Sequence, residues 1–160
     1  MNKLLILIIL TIGISRNLSE GIIAYYPFNG NSNDISGNSF NGFVNGPVLA
    51  TDRFDLDTSS YYFNGSSCDT SKIYIDFDFP EPQTEFTWSY WINKDINGCG
   101  SVRIFQFNDG YDNSGWSVEW FDDAESHAFI STPMERDIWY NVTLAFDGDT
   151  LKSYLNGIYE

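Results

Sequence analysis

Apolar and polar residues alternate along much of the chain with the two-residue period of β-strands. In the segment from Ile138 to Phe146, every second residue is large and apolar, and the intervening residues include Asn141 and Thr143. Side chains point alternately to the two faces of a strand, so this segment predicts a strand with two differently used faces. The pair Asp147-Gly148 then predicts a turn, and Leu151 to Leu155 predicts the second strand of a hairpin.

A second tight turn is predicted at Asn156-Gly157, a pair that favours hairpin turns. Only three residues follow this pair, so the pattern predicts no strand that could use the turn. A sheet that ended here would leave an unpaired edge. We therefore expect that the chain is an incomplete version of a longer protein, with the alternative that a partner supplies the missing strand.

Short strand-like runs recur along the rest of the chain, separated by clusters of Gly, Asn, Asp and Ser. No segment has the period of a long amphipathic helix. The pattern predicts one all-β domain, an antiparallel sandwich or barrel without a linker or a repeat. The predicted strands are Ile22–Phe28, Gly42–Val44, Ser60–Phe63, Lys72–Phe79, Phe86–Ile92, Val102–Phe107, Trp116–Phe121, Ala128–Ile130, Ile138–Phe146 and Leu151–Leu155.

The strand predicted over Phe86–Ile92 carries aromatic residues on both faces. One face holds Phe86, Trp88, Tyr90 and Ile92, and the other holds Thr87, Ser89 and Trp91. This is typical of a strand inside a sheet, with one face against a second sheet. The other face would line a concave surface or be covered by loops.

The first twenty residues have the composition of a secretory signal peptide. Lys3 supplies a positive charge, and Leu4 to Ile14 is an almost unbroken apolar run. This run is shorter than the roughly 20 apolar residues that span a bilayer. We predict that residues 1–20 are removed and that residues 21–160 form a secreted or cell-surface domain without membrane insertion. A signal anchor is the alternative.

The charge of the chain excludes several partners. It has 22 acidic and 8 basic residues and a net charge of -14. Binding to nucleic acid or to an anionic membrane by charge attraction is therefore not expected. An acidic surface would keep an aromatic-rich secreted protein soluble, or would collect cations.

Cys68 and Cys99 are the only cysteines, and in an oxidising compartment they predict one disulfide. Such a bond would stabilise the fold by roughly 3 to 4 kcal/mol in the chain-entropy model. Two cysteines cannot complete a zinc site. Sequons at Asn17, Asn64 and Asn141 predict a glycoprotein if the host is eukaryotic.

One set of short motifs extends in order over nearly the whole predicted mature chain. The motifs are Gly21 to Asp34, Ser36-Gly37-Asn38, Asn41-Gly42, Thr51 to Phe54, Tyr62 to Gly65, Phe86 to Ile92 and Trp139 to Gly157. Together they resemble the laminin-G-like jelly roll of the concanavalin A-like lectin and glucanase superfamily. The resemblance implies a sandwich of two antiparallel sheets that binds glycans or proteins. Family members continue beyond the Asn-Gly turn, so this chain would lack its last strands.

The loop from Asn29 to Asn38 is rich in oxygen ligands of the kind that calcium prefers. Asn29, Asp34 and Asn38 are the candidate ligands of a structural calcium ion. The resemblance supports this hypothesis, because several jelly-roll relatives hold such an ion. The alternative is turn chemistry, since Asn and Asp side chains also cap their own backbone.

Trp116 and Trp120 would share one face of a strand, with Tyr111 in the preceding loop. If that face is exposed, the two indoles would form a platform for sugar rings. The alternative is core packing, because large aromatic residues supply much of the burial in a small β-sandwich.

No set of residues predicts catalysis. Glycoside hydrolysis needs two carboxyl groups about 5 to 10 Å apart. Glu119 and Asp122 differ by three positions and would fall on opposite strand faces, while Asp76 and Asp78 fit an ordinary amphipathic strand. His127, the single histidine, has no nucleophile motif beside it.

The function predicted from these observations is noncatalytic recognition. The chain would be a secreted module, part of a larger protein, that binds carbohydrate or an extracellular protein. The alternatives are an accessory lectin-like module of, or a fragment of, a secreted glycoside hydrolase, and a structural building block of a surface. The ligand itself follows from analogy with the fold and not from the residues.

Overall fold

The computed structural model describes residues 21–63, 71–76, 85–94, 102–106, 117–121, 126–127 and 129–160. The regular secondary structure in these ranges consists of β-strands alone, which confirms the all-β prediction. The strands are β1 (Gly42–Asn45), β2 (Val48–Ala50), β3 (Ser60–Tyr62), β4 (Lys72–Ile75), β5 (Phe86–Ile92), β6 (Val102–Gln106), β7 (Ser117–Phe121), β8 (Ser126–His127), β9 (Tyr140–Phe146), β10 (Leu151–Leu155) and β11 (Ile158–Tyr159).

The strands pair antiparallel in four sheets within the described ranges. The largest sheet has the order β11-β10-β9-β5, and a three-stranded sheet has the order β6-β7-β8. Two smaller sheets pair β1 with β4 and β2 with β3. In the largest sheet, β5 and β9 pair over their full lengths, from Phe86 opposite Phe146 to Ile92 opposite Tyr140. This long pairing places two seven-residue strands side by side and defines the two faces of the sheet.

The hairpin of β9 and β10 forms where the sequence predicts it. Its loop is organised by Asp147, whose Oδ1 accepts hydrogen bonds from the backbone N–H groups of Asp149 and Thr150 at 3.2 and 2.9 Å. The Lys152 Nζ donates to Asp147 Oδ2 at 2.7 Å. The bond from Lys152, together with the two backbone bonds, lowers the pKa of Asp147 to about 2. Asp147 is therefore ionised at neutral pH, and it is this ionised carboxylate that holds the loop.

The second hairpin corrects a sequence prediction. Asn156 and Gly157 both have positive φ, at 50° and 80°, as a two-residue hairpin turn of type I′ requires. Ile158 and Tyr159 then pair with Leu155 and Tyr154 as β11. The prediction that no strand could use this turn is therefore wrong, because two residues suffice to form the pairing once the turn has reversed the chain.

The prediction of a strand over Ile22–Phe28 is also wrong, since this segment forms no β-strand. The loop that follows it supplies most of its hydrogen-bond partners instead. The backbone N–H of Ile35 donates to the Tyr25 carbonyl at 2.9 Å, and the Asn38 side-chain amide donates to the Ile23 carbonyl at 2.9 Å. Backbone and side-chain groups of this loop thus replace the neighbouring strand that the alternating pattern implied.

The strand predicted over Ala128–Ile130 is replaced by other local structure. Ala128 lies outside the described residues, and Phe129 forms a turn with φ of 71°. Ile130 makes only an isolated bridge. A left-handed residue breaks the extended backbone of a strand, which explains why the apolar pattern misled the prediction here.

The core lies against one face of the largest sheet. Val142 and Leu144 on β9 are fully buried, and Ile130, Met134 and Leu155 complete the buried cluster. The aromatic side chains that pack against it include Tyr90 and Tyr140. Buried residues alternate with less buried residues along β9, as the period of the sequence predicts.

Within the described ranges, no helix has the length and apolar composition needed to cross a membrane.

We expect Leu144→Ala to lower the free energy of unfolding by about 3 kcal/mol, because it removes buried atoms and leaves a cavity. Urea denaturation followed by circular dichroism measures this change. The matched control is Ile158→Ala, since Ile158 is 70% exposed and its truncation should change stability by no more than about 0.5 kcal/mol. Equal effects of the two substitutions would contradict the position of the core.

Candidate functional site

The largest sheet has an outer face opposite the core. Directly opposed residues in antiparallel strands point to the same side, so register assigns side chains to faces. One row of this face runs across all four strands, and a second row pairs Trp91 with Asn141. The outer face comprises Thr87, Ser89 and Trp91 of β5, Asn141, Thr143 and Ala145 of β9, Lys152 and Tyr154 of β10, and Tyr159 of β11.

Three polar side chains on this face form one hydrogen-bonded group. The Ser89 and Thr143 hydroxyls lie 3.0 Å apart, and the Asn141 Nδ2 donates to Ser89 Oγ at 3.2 Å. The Thr143 hydroxyl donates to Asn141 Oδ1 at 3.3 Å. Asn141 Nδ2 also donates to the Tyr90 carbonyl at 3.3 Å. These bonds link β5 to β9 and hold a hydroxyl and amide array in a fixed arrangement.

Trp91 stands beside this polar group and is 45% exposed. The Arg53 guanidinium carbon lies 4.4 Å from the centre of the Trp91 ring and 4.2 Å from the centre of the Phe54 ring. Both distances fall within the range of cation–π contacts. Phe54 is 63% exposed, so the two aromatic rings and the cation together form a surface that solvent reaches. We call Arg53, Phe54 and Trp91 the aromatic clamp.

The loop between β2 and β3 brings Arg53 and Phe54 to the sheet. Asp52 organises this loop, because its Oδ1 accepts hydrogen bonds from the backbone N–H groups of Phe54 at 2.8 Å and Leu56 at 3.0 Å. The Asp52 backbone N–H donates in turn to the Leu56 carbonyl at 3.1 Å. The loop is therefore closed on itself, which fixes the position from which Arg53 reaches Trp91.

Asp34, a predicted calcium ligand, is at the centre of a second set of hydrogen bonds. Its Oδ1 accepts from the backbone N–H groups of Tyr25 at 2.9 Å and Ser36 at 2.8 Å. Its Oδ2 accepts from the Ser36 hydroxyl at 2.8 Å and the Phe40 N–H at 3.1 Å. Burial alone would raise the pKa of Asp34, but these bonds outweigh it and hold the pKa below its usual value. The geometry is that of a turn-stabilising carboxylate.

The other two candidate calcium ligands lie in the same loop. Asn29 offers its carbonyl to the Asn31 amide at 3.4 Å, and the Asn38 amide donates to the carbonyls of Ile22 and Ile23. No group of three or more Asp, Glu, His or Cys side chains in the described part is arranged to hold a metal ion. The bonds around Asp34 support the turn alternative, and calcium binding stays a prediction.

Other predicted site residues lie where the structure gives no side chain. Trp116, Cys68 and Cys99 are outside the described residues, and Trp120 is described only as part of the β7 backbone. The glycan platform and the disulfide therefore stay predictions.

Sequence reasoning missed the aromatic clamp as a site. Alternation along Phe86–Ile92 placed Trp91 correctly on the face opposite Trp88, which was a usable signal. Arg53 and Phe54 belong to a loop, and no local pattern indicates that this loop reaches β5. The contact depends on tertiary structure.

Two open clefts of ≈ 320 Å³ each meet at Phe129 on the core side of the sheet. One is lined by Phe86, Phe129, Phe146 and Leu151, and it offers almost no polar groups to a ligand. The outer face, with its amide, hydroxyl and guanidinium groups, is the better candidate for a binding site.

No protein-family model matches the chain, and no curated protein or solved structure matches it either. Function is therefore inferred from the geometry of the outer face.

We expect Asp34→Asn to lower the free energy of unfolding by about 2 kcal/mol at pH 7, because one acceptor oxygen is replaced by a donor facing donors. The folded-state pKa of Asp34 lies below its unfolded value, so its contribution is present above the unfolded value and is lost as the pH falls through the folded value. Denaturant unfolding is measured between about pH 2 and 7, which includes the range where Asp titrates. The free energy of unfolding should fall less with decreasing pH in the variant than in the unsubstituted chain.

The control for this substitution is Asn33→Ala, which truncates an exposed neighbour. It should change stability by no more than about 0.5 kcal/mol. A rise in melting temperature on addition of Ca²⁺ that occurs in the unsubstituted chain and disappears in Asp34→Asn would instead favour the calcium interpretation.

Proposed function

We propose that this domain is a noncatalytic recognition module that binds carbohydrate through the outer face of its largest sheet. The observation that carries the proposal is the aromatic clamp beside the hydrogen-bonded group of Ser89, Asn141 and Thr143. An exposed aromatic ring and a fixed array of polar groups lie on the same open surface.

This combination suits the chemistry of sugars. A sugar ring presents C–H groups on its faces, which pack on an aromatic ring, and hydroxyl groups at its edge, which both donate and accept hydrogen bonds. Ser and Thr hydroxyls and the Asn amide can also donate and accept. Because these side chains already hold one another in position, a ligand would meet a preorganised surface at a reduced entropic cost.

The composition of the outer face supports binding rather than hydrolysis. Its side chains, all in the described part, include no Asp and no Glu. A glycosidase of the usual kind places two carboxyl groups on either side of the scissile bond. Asp147 lies beyond the end of β9 and is paired with Lys152. Among the described side chains of this face, a bound sugar would therefore meet recognition groups without an acid and base pair.

The antiparallel sheets and the two-faced β5–β9 pairing also support the finer assignments that the resemblance suggested. We propose that the domain is a two-sheet jelly-roll sandwich of the laminin-G-like type. We further propose that residues 1–20 direct its secretion and that it serves as one module of a larger extracellular protein.

We expect Trp91→Ala to weaken glycan binding at least about tenfold, because truncation of a central Trp typically costs about 2 kcal/mol of binding free energy. A glycan array with the full chain would identify the bound oligosaccharides, and isothermal titration calorimetry would then give their dissociation constants. Circular dichroism of the variant would establish that it retains the fold.

The matched control is Phe43→Ala. Phe43 is 52% exposed on β1 and stacks with Tyr74, so it is an exposed aromatic residue outside the largest sheet. Its truncation should leave glycan affinity unchanged. The proposal would be wrong if the array showed no binding, or if the two substitutions weakened binding equally.

A further inference from the structure

Arg53 is a cation without an ion pair among the described residues of an acidic chain. The chain has 22 acidic and 8 basic residues, and Asp52, Asp55 and Asp57 surround Arg53 in the sequence. Even so, the guanidinium forms no ion pair or hydrogen bond with any residue of the described part. Lys152, by contrast, is paired with Asp147 at 2.7 Å.

Two of the neighbouring carboxylates have other partners. Asp52 accepts the backbone N–H groups of Phe54 and Leu56, and Asp57 accepts the Thr51 hydroxyl at 3.4 Å. The loop thus uses these acids to hold its own conformation. Arg53 contacts the rings of Phe54 and Trp91, which offer no conventional hydrogen-bond acceptor. Within the described part of the chain, its N–H donors are therefore left to solvent or to a ligand.

We propose that Arg53 binds a carboxylate carried by the sugar, so that the ligand is a glycan containing a uronic acid. This proposal rests on the proposed function and names the class of glycan. The five N–H donors of a guanidinium form a rigid, planar fork that matches the two oxygens of a carboxylate. The two ring contacts restrict the side chain before the ligand arrives, which reduces the entropy lost on binding.

The acidic surface makes this recognition selective. Repulsion from charges elsewhere on the protein is screened beyond roughly 8 Å at physiological ionic strength. A carboxylate in direct contact with Arg53 is screened much less. A dense polyanion would place further charges against the acidic surface, whereas a glycan with isolated carboxylates would not. The net charge of -14 therefore disfavours nonspecific anions and leaves the Arg53 site available.

The test compares matched sugars. Oligosaccharides containing glucuronate, galacturonate or mannuronate are titrated into the full chain by calorimetry, each beside the same oligosaccharide with its carboxyl groups reduced to alcohols. At least one carboxylated form should bind about tenfold more tightly than its reduced form, as expected for a charge-assisted hydrogen bond at a partly exposed site. Arg53→Gln should abolish that difference, and Arg53→Lys should keep only part of it.

The control variant is Lys72→Gln, which removes an exposed cation from β4, outside the largest sheet. It should leave the preference for the carboxylated form intact. Equal binding of the carboxylated and reduced forms would overturn the role of the carboxylate while leaving glycan recognition by Trp91 in place. A preference that survives Arg53→Gln would overturn the assignment to Arg53. Sulfated analogues are titrated beside these sugars, and tighter binding of a sulfated than of a carboxylated form would overturn the assignment to a uronic acid. Binding to none of these sugars would overturn it as well, and the glycan array would then decide the proposed function separately.

Discussion

The pairing of β5 with β9 is the interaction on which the rest of the structure depends. Its register, from Phe86 opposite Phe146 to Ile92 opposite Tyr140, determines which side chains share a face. A shift of one residue would send Val142 and Leu144 into solvent and bring polar residues into the core. The buried cluster therefore fixes the outer face, because the same alternation that buries one set of side chains exposes the other.

Local sequence patterns predicted the parts of the fold that depend on such alternation. β5 and β10 have the bounds expected from the sequence, and the two faces of β5 are those predicted from its period. The turn at Asn156-Gly157 was recognised, but the strand after it was not, since two residues carry too little pattern to identify. The prediction of a strand over Ile22–Phe28 failed for another reason. The backbone of this segment forms hydrogen bonds with a nearby loop, and alternation does not reveal which partner a backbone has.

The candidate site was only partly predictable. The exposed side of Trp91 follows from strand period, but its contact with Arg53 joins a loop to a distant strand. Asp34 shows the opposite case. The sequence identified Asp34 either as a calcium ligand or as a residue that stabilises a turn. The two interpretations differ in what its oxygens bind, a metal ion or N–H and O–H donors of the loop. Both a calcium site and a tight turn select the same residue types, so composition cannot separate them. The hydrogen bonds of Asp34 show its role in the turn, and calcium binding stays a prediction.

The bonds of Asn141 also bear on the host in which the domain is produced. Asn141 begins a sequon, and an N-linked oligosaccharide replaces one hydrogen of its side-chain nitrogen. That nitrogen donates to Ser89 Oγ and to the Tyr90 carbonyl. Modification of this residue would weaken the link between β9 and β5 and set a bulky chain beside Trp91. A cell that attaches such chains would therefore make a domain whose proposed sugar-binding surface is covered by a sugar of its own.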